Sequence, residues 1–215
     1  MPDLTGTFLS KQTLILSINS RFKFSNLVPA HQISCSHNGA FDLELEQLDV
    51  KIAFLHGNLE ENIYMSHPEG FLDAKKDHVC LLQKSLYGLK QSPRQWYKRF
   101  DSFMISNGYT RNQFDNCVYS KELSPDSYIY LLLYVDDMLI TNKGMARIND
   151  LKATLKNEFE MKDLGAAKKM LGIDIQRDRR TGRLCISQQK YIEKFTQSFN
   201  SDQSKLVGTP LAVHS

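Results

Sequence analysis

Residues 131–140 read LLLYVDDMLI, an apolar run interrupted by two adjacent carboxylates, Asp136 and Asp137. Taking an ionised carboxylate out of water without a partner costs several kcal/mol, so an unbroken buried strand through this stretch is excluded. If SYIYLLLYV and MLIT are antiparallel neighbours, Asp136 and Asp137 form the two-residue turn between them, at the rim of the sheet. Aspartate is a favoured turn former, and a hairpin with Asp-Asp at its tip requires no function. A turn chosen only for geometry would nevertheless favour Asn-Gly or Asp-Gly, because positive φ is easiest for glycine. The flanking strands are apolar almost throughout, which predicts a central pair, and a rigid central pair is a suitable mount for reactive groups.

The rest of the chain is organised around this hairpin. Residues 1–40 are rich in Ser and Asn and hold neither a helical nor a strand period, and they are read as an unrelated leader. From Phe41 the texture changes. FDLELEQLDVKIAF alternates apolar and polar side chains, with an irregularity near Gln47, and predicts a strand with one buried face. NIYMSHP and VCLLQKSLYG predict short strands. QSPRQWYKRFDSFMISNG predicts a helix with Ser92 as N-cap, Pro93 in the first turn and Gly108 as the stop. Trp96, Phe100 and Phe103 share one face of it, and Arg94 and Lys98 make a basic edge.

NCVYSKE predicts a further strand before the aspartate hairpin, and MARINDLKATLKNEFE a second helix with Ile148, Leu151, Leu155 and Phe159 in one stripe. LGIDIQRDRRTGRLCIS reads as a hairpin turning at Thr181 and Gly182. A helix with Ser187 as N-cap then carries Tyr191, Phe195 and Phe199 on one side. The order strand, helix, strand pair, helix, strand predicts an α+β fold of the ferredoxin-like, split βαβ type, with helices on one face of an antiparallel sheet.

Composition narrows the function classes. Of 215 residues 41% are hydrophobic and the formal net charge is +3, enough core for one large domain but no strongly basic footprint. The four cysteines form no CxxC pair, which excludes a zinc-site spacing and makes reduced thiols the expectation. No apolar stretch reaches the roughly 20 residues that span a bilayer. The N-terminus lacks the signature of a secretory signal, so the expected location is intracellular and cytoplasmic.

A third carboxylate, Asp49, ends the strand LELEQLD and is placed to sit beside the hairpin tip. Three converging carboxylates without basic partners repel one another unless divalent cations neutralise them. Hard oxygen donors with open positions suit Mg²⁺, which keeps waters and accepts substrate phosphates. Two such ions about 4 Å apart support in-line phosphoryl displacement.

The longer stretches around these residues are ELEQLDVKIAFLHGNLEENIYMSHPEGF, LLQKSLYGLKQSPRQWYKRF, LLLYVDDMLI and EMKDLGAAKKMLGIDI, continuing through SQQKYIEKF to GTPLA. Together they resemble the reverse transcriptase of copia-type LTR retrotransposons over roughly residues 41–213. The resemblance implies a polymerase palm over 41–165, with the fingers largely missing, and a primer-grip hairpin and partial thumb over 166–215. It further implies that Asp49, Asp136 and Asp137 bind two Mg²⁺ ions, with Mn²⁺ as a substitute, and that the Val50 carbonyl is a further ligand.

By the same resemblance Phe54 blocks a ribose 2′-hydroxyl, and Tyr87 and Gly88 lie near the base and sugar of the incoming dNTP. Lys90, Arg94 and Lys98 contact nucleic-acid phosphates, as do Lys168 and Lys169 at the primer. Core packing is the alternative for Phe54, and a solvated helix face for the basic residues. Ile52 stands where the family commonly has Thr. The implied partners are an RNA or DNA template with its primer, a dNTP and the remainder of a Pol polyprotein, with no membrane. A catalytically inactive remnant that keeps the fold is the competing reading.

Overall fold

The computed structural model describes residues 34–37, 43–68, 70, 71, 78–125, 127–181 and 183–199. Most of the expected leader, Gly182 and the GTPLA stretch lie outside the described residues. The described chain divides into two units, one of residues 43–167 and one of residues 34–37 with 168–199.

The first unit is built on the strand expected after residue 43, Glu44–Val50 (β2), which ends in a short 3₁₀ turn at Ala53–His56. Ile52, at that exit, is half exposed and takes a left-handed φ of 54°, so it does not continue the strand. The two short strands are Tyr64–Met65 (β3) and Cys80–Leu81 (β4), paired with each other. The first helix, Ser92–Ser106 (α1), buries Trp96, Phe100 and Met104, and Phe103 packs partly against the same core. Ser92 is not its N-cap. It is the first helical residue, and its hydroxyl donates to the Leu86 carbonyl at 2.6 Å, leaving Gln91 at the cap without a side-chain bond.

The chain continues through Thr110–Arg111 (β5), Val118–Ser124 (β6), Ser127–Tyr134 (β7) and Asp137–Asn142 (β8). A second helix, Met145–Glu158 (α2), and the strand Met161–Ala166 (β9) complete the unit. Its antiparallel sheet has the order β5-β6-β7-β8-β2-β9. β5 and β9 carry exposed, weakly alternating residues and have no clear strand pattern in the sequence.

One face of this sheet meets both helices. Leu48 and Val50 from β2, Ile129, Leu131 and Leu133 from β7, and Met138 and Ile140 from β8 form a single core with Trp96, Phe100, Ile148, Leu151, Leu155 and Phe159. Each such side chain contributes about 1.5–3 kcal/mol by leaving water. Strand alternation then sends Gln47, Asp49, Asp137, Leu139 and Tyr134 to the opposite face. Gly57 allows the 3₁₀ turn to lie against α1, since a Cβ there would come within 2.9 Å of the Gln95 Cβ.

Behind the sheet's acidic rim, Lys152 of α2 is buried between Glu46 of β2, at 2.6 Å, and Asp163 of β9, at 2.7 Å. Asp163 also accepts from Lys156 at 2.8 Å and from the Gly165 N–H. Burial opposes ionisation of Asp163, but these donors prevail and hold its pKa at about 2. The expected irregularity at Gln47 is present as a register shift against β9: Gln47 lies opposite Gly165, but Leu48 lies opposite Asp163.

The second unit contains Lys169–Met170 (β10), Ile173–Asp178 (β11), Arg183–Ser187 (β12) and the helix Gln189–Ser198 (α3). Residues 34–37, expected to lie in the leader, instead form a strand (β1) paired with β12, in the order β1-β12-β11-β10. The register places Cys35 opposite Cys185. Cys185 is disulfide-bonded, against the expectation of reduced thiols, while Cys80 and Cys117 are free. Ser187 is not the N-cap of α3: that position is Gln188, without a side-chain cap bond, and Ser187, the last residue of β12, accepts the Gln189 N–H at 3.2 Å from one position earlier. Tyr191, Phe195 and Phe199 do share a side, but they are exposed; Tyr191 stacks on Phe195, and Phe195 meets Phe199 at a tilt.

Candidate metal and nucleotide site

The β2–β8 ladder ends with Asp49 directly opposite Asp137, and the β7–β8 ladder closes with Tyr134 opposite the same residue. The hairpin turn is therefore Val135-Asp136, one residue earlier than the expected Asp136-Asp137. Asp137 is the first residue of β8. Val135 takes a left-handed φ of 57°, a conformation that costs a β-branched residue on the order of 1–3 kcal/mol. Such a turn is unexpected from sequence because turn rules would give that position to Gly or Asn.

Two hydrogen bonds to the backbone carbonyls of the strained turn secure it. The Val50 N–H donates to the Asp136 carbonyl at 2.8 Å, and the indole N–H of Trp96 donates to the Val135 carbonyl at 2.6 Å. Trp96 is thus more than a core anchor for α1. Its reach to a turn 39 residues away leaves no mark in the sequence.

Asp49, Asp136 and Asp137 are all half-buried. Burial raises the pKa of Asp49, and the charges of Asp136 and Asp137 raise it further. The expectation that no basic group lies among them needs correction: Lys162 of β9 sits opposite Asp49 and opposes the rise without cancelling it. Among the described residues no three carboxylate, imidazole or thiol groups close into a cage for an ion. The donor chemistry still suits a hard cation, because the repulsion from Asp136 and Asp137 that helps raise the Asp49 pKa is relieved by one. Mg²⁺ also takes only one or two protein carboxylates and completes its shell with water and phosphate oxygens.

Beside the carboxylates, Phe54 of the 3₁₀ turn packs against Tyr87, with ring centroids 4.4 Å apart. Phe54 also touches the core, so its packing and its position next to Tyr87 coexist. The Tyr87 phenol is held above its ordinary pKa first by burial and then by the charges of Asp136 and Asp49, and the Ala53 backbone hydrogen-bonds it. Tyr87 is therefore close to the acidic rim. Gly88 follows with φ 99°, in a conformation open to glycine and strained for other residues.

The basic edge of α1 is only partly available. Lys90 and Arg94 are exposed and hold no ion pair among the described residues, whereas Lys98 is paired with Glu60. That pairing joins positions 38 apart and could not be read from helix periodicity. Lys168 and Lys169 are exposed at the start of the second unit, where the Lys168 carbonyl accepts from Ile175. One contact to the carboxylates was missed entirely: the Gln47 side-chain amide donates to Asp137 Oδ1 at 3.2 Å. The i, i+2 spacing of Gln47 and Asp49 on a strand is the sequence signal that puts them on one face.

Comparison with known proteins gives a consistent answer. The profile of the reverse transcriptase (RNA-dependent DNA polymerase) family matches residues 37–213. The chain is 57% identical over 176 residues to the retrovirus-related Pol polyprotein from transposon TNT 1-94 of Nicotiana tabacum, covering 81% of this chain and 13% of that protein. It is 37% identical over 169 residues to the corresponding polyprotein from transposon RE1 of Arabidopsis thaliana, covering 78% and 11%. Against the transposon Ty1-DR5 Gag-Pol polyprotein of Saccharomyces cerevisiae it is 30% identical over 156 residues, covering 70% and 8%. The chain thus spans about an eighth or less of the length of these relatives. No solved structure matches. With the family profile covering most of the chain and both plant relatives being transposon Pol polyproteins, the chain belongs to the reverse transcriptase (RNA-dependent DNA polymerase) family, in its copia-type retrotransposon branch.

Proposed function

We propose that this chain is the polymerase portion of a retrotransposon Pol polyprotein and carries out template-directed nucleotidyl transfer at Asp49, Asp136 and Asp137. The observation that carries the proposal is the placement of Asp49 directly opposite Asp137, with Asp136 in the adjoining turn, on the sheet face away from the helices. The order β9-β2-β8-β7 around these residues supports a split βαβ palm. In the reaction, the primer 3′-hydroxyl oxygen attacks the α-phosphorus of a dNTP. The bond from that phosphorus to the bridging oxygen breaks, pyrophosphate leaves, and the hydroxyl proton passes to solvent.

Two Mg²⁺ ions, or Mn²⁺ in their place, would activate the hydroxyl and stabilise charge on the leaving oxygen when bound. The three aspartates would hold them, with the Val50 carbonyl as a further ligand. The chain's own part is positioning and electrostatic preorganisation. Phe54, braced by Tyr87, would close off the ribose 2′ position, and Tyr87 and Gly88 would flank the nucleotide. Lys90 and Arg94 are placed to bind phosphates of template or primer. Lys98 would have to leave Glu60 to do so, and Lys168 and Lys169 would bind primer phosphates. The remaining Pol regions are the natural protein partners. No helix among the described residues is long and apolar enough to cross a membrane.

Primer extension by the chain on an RNA template, with Mg²⁺ and dNTPs, tests this reading. Extension that needs Mg²⁺ and vanishes in Asp136→Asn is the expected result. Tight primer-template binding with no extension would support the inactive remnant instead.

A further inference from the structure

We infer that Gln47 is a positioning residue for the Asp137 carboxylate, an inference that rests on the metal-site reading above. Gln47 lies two residues before Asp49 on β2, so both project from the same face. The register sets Gln47 opposite Leu139 and Asp49 opposite Asp137, which makes Gln47 the diagonal neighbour of Asp137. At that diagonal a long side chain reaches across, and the Gln47 Nε2 donates to Asp137 Oδ1 at 3.2 Å.

Gln47 is 8% exposed, so its amide is largely removed from water and depends on protein partners. The shift in the β2–β9 register falls between Gln47 and Leu48, with Gly165 opposite Gln47 at φ 71°. The extra residue is Leu164 of β9, so β2 keeps its alternation through Gln47 and Asp49 and its unbroken register with β8.

The chemistry of the donor is what suits it to this task. A neutral amide holds one carboxylate oxygen without bringing a positive charge that would compete with a cation. A lysine at the same place would form an ion pair and lower the site's demand for metal. With Oδ1 held by Gln47, the Asp137 carboxylate is oriented, and its Oδ2 has no hydrogen-bond donor among the described residues. Neither charge patterning nor helical periodicity marks a glutamine of this kind; only the strand pairing does.

The test is Mn²⁺ titration of the chain, followed by electron paramagnetic resonance of the free ion, in wild type, Gln47→Met, Gln47→Leu and Leu139→Val. Loss of an outer partner to a ligand weakens metal affinity by roughly tenfold or more. Gln47→Met and Gln47→Leu are expected to lose about that much, while Leu139→Val, a packing lesion at the same rung, keeps wild-type affinity. Between wild type and Asp137→Asn, the Gln47 side-chain ¹⁵N amide resonances are expected to move, a readout that requires no change at Gln47. Wild-type affinity in a folded Gln47 variant, or amide resonances indifferent to Asp137→Asn, would overturn the inference while leaving the metal site standing. Failure of the wild type to bind Mn²⁺ more tightly than an Asp136→Asn variant would overturn the metal-site reading, and this inference with it.

Discussion

Replacing Lys152 by methionine should be among the most destabilising single changes in the first unit. The Lys152 side chain is 7% exposed and its partner Glu46 is 10% exposed, so removing the ammonium leaves a carboxylate in the interior without a counter-charge. Breaking such a pair from one side costs about 3–5 kcal/mol. At 2–4 °C per kcal/mol for a chain of this size, Tm should fall by roughly 6–20 °C. Urea denaturation followed by far-ultraviolet circular dichroism should show a lower midpoint with an unchanged slope. Asp163 keeps Lys156 as a partner, so the double variant Lys152→Met with Glu46→Leu should recover most of the loss. The exposed pair Lys51 and Glu160, 51% and 62% exposed, provides the contrast, since Lys51→Ala should cost less than about 1 kcal/mol. A Lys152→Met variant no less stable than Lys51→Ala would refute the argument that burial of Glu46 makes the pairing essential.

Four further outcomes follow from the same electrostatics and geometry. Asp163 has a folded pKa of about 2, below its unfolded value near 3.9; its contribution should be fully present above about pH 4 and lost as pH falls through 2, and Asp163→Asn should flatten that part of the urea-midpoint profile. Asp49 has the opposite sign, with a raised folded pKa, so the metal-free protein at neutral pH should gain stability in Asp49→Asn, measured as a higher Tm without divalent ions. Trp96→Phe should cost about 1–3 kcal/mol by leaving the Val135 carbonyl without its donor. Val135→Gly, which relieves the positive φ, should leave stability unchanged or raise it by up to about 2 kcal/mol in the same denaturation assay.

Much of the first unit was legible because its signals are local. Alternation from Leu43 to Val50 and the helical stripe through Ile148, Leu151 and Leu155 each need only one element to be read. The paired carboxylates were likewise visible because charge inside an apolar run is anomalous wherever it falls. The turn was misplaced by one residue because a valine in left-handed conformation runs against turn chemistry. That conformation is held by Trp96 and Val50 from elsewhere in the fold. Ser92 was misread as a cap because its hydroxyl serves the preceding loop at Leu86.

Other contacts were beyond reach for one physical reason: they join side chains far apart in the chain. Gln47 meets Asp137 across 90 positions, Lys152 meets Glu46 across 106, and Ser34 of β1 pairs with Ile186 of β12. The resemblance to a polymerase family supplied the expected roles of Phe54, Tyr87 and Gly88, which are proposals, and geometry added that Phe54 and Tyr87 touch. Periodicity alone would have counted Lys98 as a free basic group, although Glu60 holds it.

The central claim is that Asp49, Asp136 and Asp137 act as one divalent-metal site. Calorimetric titration of Mg²⁺ into the wild-type chain and into the triple variant Asp49→Asn, Asp136→Asn, Asp137→Asn tests it most directly. The account predicts saturable binding in the wild type and none in the folded triple variant. Equal binding isotherms for the two proteins would contradict it.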